Sequence, residues 1–113
     1  MIKQLTSKEI EEHIMVNSKK ILLDVRTPEE WEMFGKPDGE KLGLKTFFLT
    51  IENENFTQNF INLSISKDFE ILTMCKIGQR SQFAAELLGK ENYSCINISD
   101  GFDGWKRSNL PCL

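Results

Sequence analysis

The sequence is poor in the residues that build metal sites and disulfide scaffolds. Among its 113 residues are one histidine, His13, and three cysteines, Cys75, Cys95 and Cys112, with no Cys-x-x-Cys pair. This odd and widely spaced set argues against a disulfide framework and against a structural zinc site. We expect His13 to be a surface residue on an exposed helix, which leaves no Cys-His dyad. The sequence therefore predicts no metal and no cofactor, and at least one cysteine is a candidate reactive thiol.

Long apolar runs and an excess of positive charge are also missing. No run approaches the roughly 20 apolar residues that cross a bilayer, and residues 1–5 lack the hydrophobic segment of a signal peptide. Fourteen Lys and Arg against seventeen Asp and Glu give a net charge of −3, which disfavours broad binding to nucleic acid or to an anionic membrane. We expect a cytoplasmic protein with neither of these partners, in which any anion site is local.

The sequence does contain enough apolar residues for one core. Hydrophobic residues make up 40% of the chain, and a chain of this length buries roughly two thirds of its unfolded surface. A second core would not fit. We therefore expect a single domain over residues 1–113.

Apolar clusters alternate along the chain between strand-like and helix-like spacing, which is typical of an α/β domain. Strands are predicted at 2–5, 21–25, 46–51, 69–74 and 94–98. Helices are predicted at 7–16, from Thr27 onward, at 55–63, at 81–88 and as a short turn at 104–108, with an irregular segment at 35–45. Because no hairpin signal separates the strands, the pattern predicts a three-layer α/β/α sandwich with a five-stranded, mainly parallel sheet.

Three of the predicted helix ends carry capping signals. Thr6 with Glu9, and Thr27 with Glu30, have the spacing of capping boxes, in which a hydroxyl and a carboxylate each bind the other residue's backbone N–H. Gly89 is expected to end the helix at 81–88 in a left-handed conformation. These signals predict the starts of two helices and the end of a third.

One cysteine stands where open parallel sheets bind their ligands. Cys75 follows the fourth predicted strand and precedes a short loop and a helix, the arrangement found at the carboxyl edge of such sheets. Backbone N–H groups of the loop, the helix N-terminus and the charges of Lys76 and Arg80 all favour the thiolate over the thiol. Gly78 would supply any left-handed conformation that the tight loop needs. Cys75 is therefore the candidate nucleophile, and it needs no histidine base.

An alternative interpretation is that Cys75 is only a small apolar residue at a strand end, since free cysteines are among the most buried residue types. The residues that follow favour the nucleophile, because Gly78, Arg80 and Ser81 at this spacing define both the size and the charge of a loop cavity. The arrangement Cys-x4-Arg-Ser is the observation that discriminates between the two.

Three segments resemble the rhodanese, or sulfurtransferase, domain family. The run LLDVRTPEEW at 22–31 looks like the first signature of that family, and CKIGQRS at 75–81 looks like its active-site loop. The run DGFDGW at 100–105, followed by Leu110 and Pro111, is similar to its closing segment. The resemblance extends in order from about Leu5 to Pro111, so it rests on three separate matches.

This resemblance implies a rhodanese-like domain that moves sulfane sulfur from a donor to a thiophilic acceptor. The donor would be a small anion such as thiosulfate, or a persulfide, and the acceptor cyanide, a thiol or a protein thiol. The family's nucleophile corresponds to Cys75, which would carry the sulfur as a persulfide. The substrate-binding loop would consist of Lys76, Ile77, Gly78, Gln79, Arg80 and Ser81.

The resemblance also suggests roles for the charged residues. Lys76 and Arg80 would attract the anionic donor, although Arg80 could equally anchor the loop to neighbouring carbonyl groups. Asp24 and Arg26, at the end of the second predicted strand, are expected to pair or to bind nearby backbone. They would support the site rather than react.

The remaining aromatic and sulfur-bearing residues are expected to be structural. Trp31 and Trp105 belong in the core or in the wall of the site, and Cys95 belongs in the fifth strand. Cys112 could resolve a persulfide on Cys75, but we favour an incidental thiol there.

The sequence departs from the family in two places. Where many members have Gly-His-Ile before the third strand, residues 35–45 lack the histidine and form a longer, charged loop. We expect this difference to alter the shape of that side of the molecule and of a partner surface there, but not the chemistry at Cys75. Asn109 replaces a common glycine, which is a mild change because asparagine tolerates a left-handed turn.

Two other functions would use a similar loop. Cysteine phosphatases and arsenate reductases resemble Cys-x5-Arg, one residue longer, and need an acid for the leaving group, for which only Asp100 or Asp103 is well placed. Asp103 is expected instead to cap the following helical turn. A non-catalytic persulfide carrier or interaction module would share the fold and the loop without turnover. Of the three, the sequence favours the sulfurtransferase.

Overall fold

The computed structural model describes residues 2–16 and 19–113, in which strands and helices alternate. Strands β1 to β5 span Lys3–Leu5, Lys20–Asp24, Lys45–Phe48, Glu70–Met74 and Ser94–Ile98. Helices α1 to α5 span Ser7–Val16, Pro28–Phe34, Phe56–Ile61, Gln79–Lys90 and Gly101–Arg107. A 3-10 turn at Gly39–Leu42 lies in the segment predicted to be irregular. None of the helices in these two ranges has both the length and the apolar character needed to cross a membrane.

All five strands belong to one parallel sheet with the order β1-β5-β4-β2-β3. The predicted five-stranded α/β architecture is confirmed, and the sheet is parallel throughout rather than mainly parallel. β4 lies in the centre, between β5 and β2. Because parallel strands all end at the same edge, the segments that follow β2, β4 and β5 meet at the carboxyl edge of the sheet.

Helices cover both faces of the sheet, as the three-layer prediction requires. On one face, α3 and α4 pack against alternate strand residues, including Leu23 and Ile71. On the other face, α1 and α5 pack against the intervening residues, including Leu22 and Leu72. Every residue of β2 is buried, as expected for a parallel strand that is covered on both faces.

The end of α4 differs from the prediction. The helix continues through Gly89 to Lys90, and the left-handed residue after it is Asn92, with a φ of 70°. The chain turns there because the N–H groups of Asn92 and Tyr93 bind the carbonyl oxygens of Gly89 and Leu88. The left-handed cap predicted at Gly89 is therefore wrong, and asparagine takes that conformation instead.

Helix α5 begins earlier than predicted. Its first residue is Gly101, because the N–H groups of Phe102 and Asp103 bind the carbonyl oxygens of Cys75 and Lys76. These two bonds stabilise an additional helical turn before residue 104. The sequence pattern around 104–108 therefore detected only the second half of the helix.

The two predicted capping boxes form to different extents. At α2, Thr27 and Glu30 make the complete reciprocal box. At α1, the Glu9 carboxylate accepts the Thr6 N–H at 2.8 Å and the Thr6 hydroxyl at 2.9 Å. The Glu9 N–H binds the Thr6 backbone carbonyl rather than the side chain. The box at α1 is therefore only half formed.

Candidate active site

The thiol of Cys75 lies directly after the central strand, at the carboxyl edge of the sheet. Cys75 is 1% exposed, so the sulfur lies beneath the loop that follows it. Residues 75–81, the cysteine loop, turn back so that the Gly78 N–H donates to Cys75 Sγ at 3.1 Å. Helix α4 begins at Gln79, within this loop, so its N-terminal partial positive charge lies beside the thiol. Both features favour negative charge on the sulfur.

Gly78 has the left-handed backbone that the sequence predicts for it. Its φ is 101°, and a Cβ atom built at this position would lie 2.3 Å from the Ser99 carbonyl oxygen. The cysteine loop therefore packs closely against the segment that follows β5. Only glycine satisfies both the dihedral angle and the available space.

Helix α5 holds the other side of the cysteine loop. The Phe102 N–H donates to the Cys75 carbonyl oxygen at 2.7 Å, and the Asp103 N–H donates to the Lys76 carbonyl oxygen at 3.1 Å. Sequence reasoning predicted only the second half of this helix and missed its contact with the loop. The closing segment of the chain thus positions the backbone on which the candidate nucleophile stands.

A buried polar network begins at the sulfur. The Ser81 hydroxyl lies 3.3 Å from Cys75 Sγ and 2.6 Å from Asn97 Oδ1. The Asn97 amide group donates in turn to Gln4 Oε1 and to the Gly78 carbonyl oxygen. Because a hydroxyl donates one hydrogen, Ser81 can donate to only one of these two acceptors at any one time.

Asn97 is a site residue that sequence reasoning missed. It lies in β5 and is 2% exposed. The pattern Ser-Cys-Ile-Asn-Ile indicates a buried strand, in which a buried amide stands out as a polar residue that needs partners. Only the parallel pairing of β5 with β4 and β1 shows that those partners surround the cysteine loop.

Arg80 binds carboxylates, a contact that the sequence interpretation did not consider. Its guanidinium makes a two-point ion pair with Glu30, with N–O distances of 2.6 and 2.8 Å, and a further contact of 3.5 Å with Glu52. Chiefly through their shared hydrogen bonds, the pKa of Glu30 falls to about 2 and the pKa of Arg80 rises. Glu30 also belongs to the capping box with Thr27. One carboxylate therefore joins the start of α2 to the cysteine loop.

Lys76 also faces a carboxylate. Its Nζ lies 3.0 Å from Asp103 Oδ2 and 3.3 Å from Asp103 Oδ1. The prediction that Asp103 caps a helical turn is wrong, because α5 begins at Gly101 and Asp103 lies inside its first turn. Both cations of the cysteine loop are thus paired within the chain.

Two open cavities, each of about 400 Å³, flank the cysteine loop. One is mostly apolar and is lined by Ile51, Glu52, Gln79, Arg80 and Phe83. The other is lined by Gln4, Ile77, Gly78, Gln79, Gln82, Asn97 and Ser99. Of the predicted loop residues, Ile77 and Gln79 are exposed, and Gln79 lines both cavities.

Asp24 and Arg26 form a buried ion pair behind the site. Arg26 Nη2 lies 2.8 Å from Asp24 Oδ2, and Arg26 Nε lies 3.1 Å from each carboxylate oxygen. Arg26 also donates to the Gly35 carbonyl oxygen, and its guanidinium lies 4.2 Å from the centroid of the Phe102 ring. Since Phe102 binds the Cys75 carbonyl, the pair contacts the site through this residue.

The other two cysteines lie in unlike surroundings. Cys95 is buried in β5, and burial raises its pKa to about 12, which makes it a poor nucleophile at neutral pH. Cys112 is exposed and makes an isolated antiparallel bridge with Pro37. Its pKa is also raised, chiefly because the thiol is partly shielded from water.

The remaining predicted residues contact other parts of the chain. His13 is partly buried rather than exposed, with Nε2 3.5 Å from Glu70 Oε1, at the opposite end of β4 from Cys75. Trp31 packs edge-on against Phe48, and Trp105 is fully buried. Within the described ranges, no three His, Cys, Asp or Glu residues group as metal ligands.

Comparison with known proteins agrees with this geometry. The profile of the Rhodanese-like domain matches residues 6–108. The chain belongs to the rhodanese-like family. An uncharacterized protein of Rickettsia prowazekii is 36% identical over 120 residues, covering 98% of this chain and 97% of that protein.

Relatives with a named activity are more distant. A sulfurtransferase of Allochromatium vinosum is 24% identical over 114 residues, covering 100% of this chain and 96% of that protein. The solution structure of the polysulfide-sulfur transferase homodimer from Wolinella succinogenes has a TM-score of 0.80 at 22% identity. The superposition covers 99% of this chain and 78% of the Wolinella chain, and at this identity it shows a shared fold only. The rhodanese-like family thus includes sulfurtransferases at low identity to this chain.

Proposed function

We propose that this protein is a sulfurtransferase that carries sulfane sulfur as a persulfide on Cys75. The donor is thiosulfate or a persulfide, and the acceptor is cyanide or a thiol. The observation that carries the proposal is the surroundings of the Cys75 sulfur, which accepts the Gly78 N–H at 3.1 Å beside the N-terminus of α4. Donors of this kind stabilise negative charge on sulfur in both the thiolate and the persulfide.

In the proposed reaction, the Cys75 thiolate attacks the outer sulfur of the donor. With thiosulfate, a bond forms between Cys75 Sγ and the sulfane sulfur, and the S–S bond of thiosulfate breaks. Sulfite leaves with the electron pair, so a thiolate and a dianion become a persulfide anion and a sulfite dianion. An acceptor thiolate or cyanide then attacks the terminal sulfur and releases the Cys75 thiolate.

A phosphatase or arsenate reductase is less well supported by these contacts. Of the two candidate acids, Asp100 accepts the Ser7 N–H and hydroxyl, each at 2.9 Å, and Asp103 pairs with Lys76. Arg80, the residue that would hold an oxyanion, is bound by Glu30. A persulfide carrier without turnover shares the first half of the reaction and differs only in the second.

Mass spectrometry tests the proposal. After incubation with thiosulfate or with cysteine persulfide, we expect the Cys75 peptide to gain about 32 Da, the mass of one sulfur atom, and to lose it on addition of cyanide. Cys75→Ser should show no gain. Cys112→Ser is the matched control and should gain the sulfur as the unaltered protein does.

The rival functions give different results. Hydrolysis of an aryl phosphate without any sulfur gain would favour the phosphatase and overturn the proposal. A persulfide that forms but transfers its sulfur to neither cyanide nor a thiol under multiple-turnover conditions would instead indicate the carrier.

A further inference from the structure

The cysteine loop carries two positive charges, but three carboxylates surround them. Lys76 Nζ pairs with Asp103 at 3.0 Å, and Arg80 pairs with Glu30 at 2.6 Å and with Glu52 at 3.5 Å. These groups together leave one net negative charge. The sequence suggests a cationic loop, whereas the structure shows one whose cations are already neutralised.

The ion pair between Glu30 and Arg80 persists at neutral pH. The Arg80 hydrogen bonds lower the pKa of Glu30 to about 2, so that this carboxylate is fully ionised. Glu30 makes two hydrogen bonds to the guanidinium and also caps α2, which fixes its position. A free anion would have to displace such partners before it could use either cation.

We propose that the preferred donor is an organic persulfide, R–S–SH, with at most one negative charge, and that Glu52 and Asp103 determine this preference. The inference rests on the proposed sulfurtransferase function and names its donor class. The thiosulfate dianion gains little from cations that are already paired, and the net negative charge of the five groups repels it. A persulfide gains its stabilisation from the uncharged Gly78 N–H and from the α4 N-terminus instead.

The cavity beside Arg80 suits the carbon skeleton of such a donor. Ile51 and Phe83 give it apolar walls next to the cysteine loop, and Phe83 is 56% exposed. Thiosulfate has no apolar part to place there. The organic group R of a persulfide would remove apolar surface from water on binding.

The sulfur-transfer step balances without an oxidant or a reductant. The Cys75 thiolate attacks the terminal sulfur of R–S–SH, a bond forms between Cys75 Sγ and that sulfur, and the S–S bond of the donor breaks. R–S⁻ leaves with the electron pair, while the proton stays on the transferred sulfur. The reactants are the Cys75 thiolate and the donor persulfide, and the products are the Cys75 persulfide and the donor thiolate.

The experiment measures the rate constant for sulfur gain at Cys75 with three donors. These are thiosulfate, cysteine persulfide, and the persulfide of an uncharged, blocked decapeptide with one cysteine. Between about 20 and 500 mM salt, we expect the thiosulfate rate to stay constant or rise, because no net attraction is screened. Both persulfides should load faster than thiosulfate, and the faster of the two indicates whether the source is a small molecule or a polypeptide.

Charge variants test the two carboxylates. Glu52→Gln and Asp103→Asn should each raise the ratio of the thiosulfate rate to the decapeptide rate about threefold to fivefold, and the double variant about tenfold. Within residues 2–16 and 19–113, neither side chain has a hydrogen-bond partner other than the cation it neutralises. Asp68→Asn is the matched control: it makes the same change in net charge before β4, at the opposite end of that strand from Cys75, and should leave the ratio unaltered.

The outcomes separate this inference from the proposed function. A thiosulfate rate that falls steeply with salt in the unaltered protein, or a ratio unchanged in the double variant, would overturn the donor preference while leaving the sulfurtransferase intact. Absence of sulfur gain with all three donors would refute both.

Discussion

Gly78 is the position where the site constrains a single residue most tightly. A left-handed φ costs an ordinary residue about 1–2 kcal/mol, and here an added Cβ would also meet the Ser99 carbonyl oxygen at 2.3 Å. We expect Gly78→Ala to lower the free energy of unfolding by about 3 kcal/mol and to slow sulfur loading of Cys75 by about tenfold or more. Urea denaturation and the mass-spectrometric assay measure the two effects.

Gly43→Ala is the matched control for that substitution. Gly43 also has a positive φ, 79°, but a Cβ there meets no atom within 4 Å. Gly43→Ala should lower the free energy of unfolding by only about 1–2 kcal/mol and should leave sulfur loading of Cys75 unchanged. Equal losses at the two positions would mean that the contact with Ser99 has no part in the stability of the loop.

At the scale of elements, the Glu30 carboxylate connects α2 to α4. Its folded pKa of about 2 lies below the ordinary 4.5, so its stabilisation is complete above pH 4.5 and is lost as the pH falls from there through 2. We expect Glu30→Gln to reduce the free energy of unfolding by about 1–2 kcal/mol at neutral pH. The difference in free energy of unfolding between the variant and the unaltered protein should disappear as the pH falls from 4.5 to 2. Urea denaturation at a series of pH values measures it.

Glu29→Gln provides the comparison, because Glu29 lies in the same first helical turn. It should change stability by no more than about 0.5 kcal/mol. If it matched Glu30→Gln, the helix terminus rather than the pair with Arg80 would account for the effect.

Glu30 also illustrates how far the sequence predicts the site. Its capping box with Thr27 is readable because both partners lie within four residues, whereas its pair with Arg80 spans fifty residues and depends on the packing of two helices. Cys75, Gly78 and Ser81 were predicted for the same local reason, since they share one loop. Asn97 was not predicted, because its partners come from the sheet order rather than from neighbouring residues.

At the scale of the whole molecule, we propose that the chain is one cooperative domain. Strand β1 pairs with β5, so residues 3–5 are bound to residues 96–98, and Trp105 is completely buried in the core. Urea unfolding followed by tryptophan fluorescence and by far-UV circular dichroism should give one coincident transition, with a slope of about 1–3 kcal/mol per M. Transitions that separate between the two probes would contradict a single domain.

The parallel pairing of β1 with β5 also affects when the surroundings of Cys75 form during synthesis of the chain. Gln4 and Asn97, whose side chains meet beside the cysteine loop, lie 93 residues apart in the chain. During synthesis, Cys75 emerges before β5 and α5 exist, so it begins as an ordinary cysteine without its later neighbours. Long-range contacts of this kind form slowly compared with local ones. The contacts around this thiol therefore form late, only after β5 and α5 have been made and have packed against the cysteine loop.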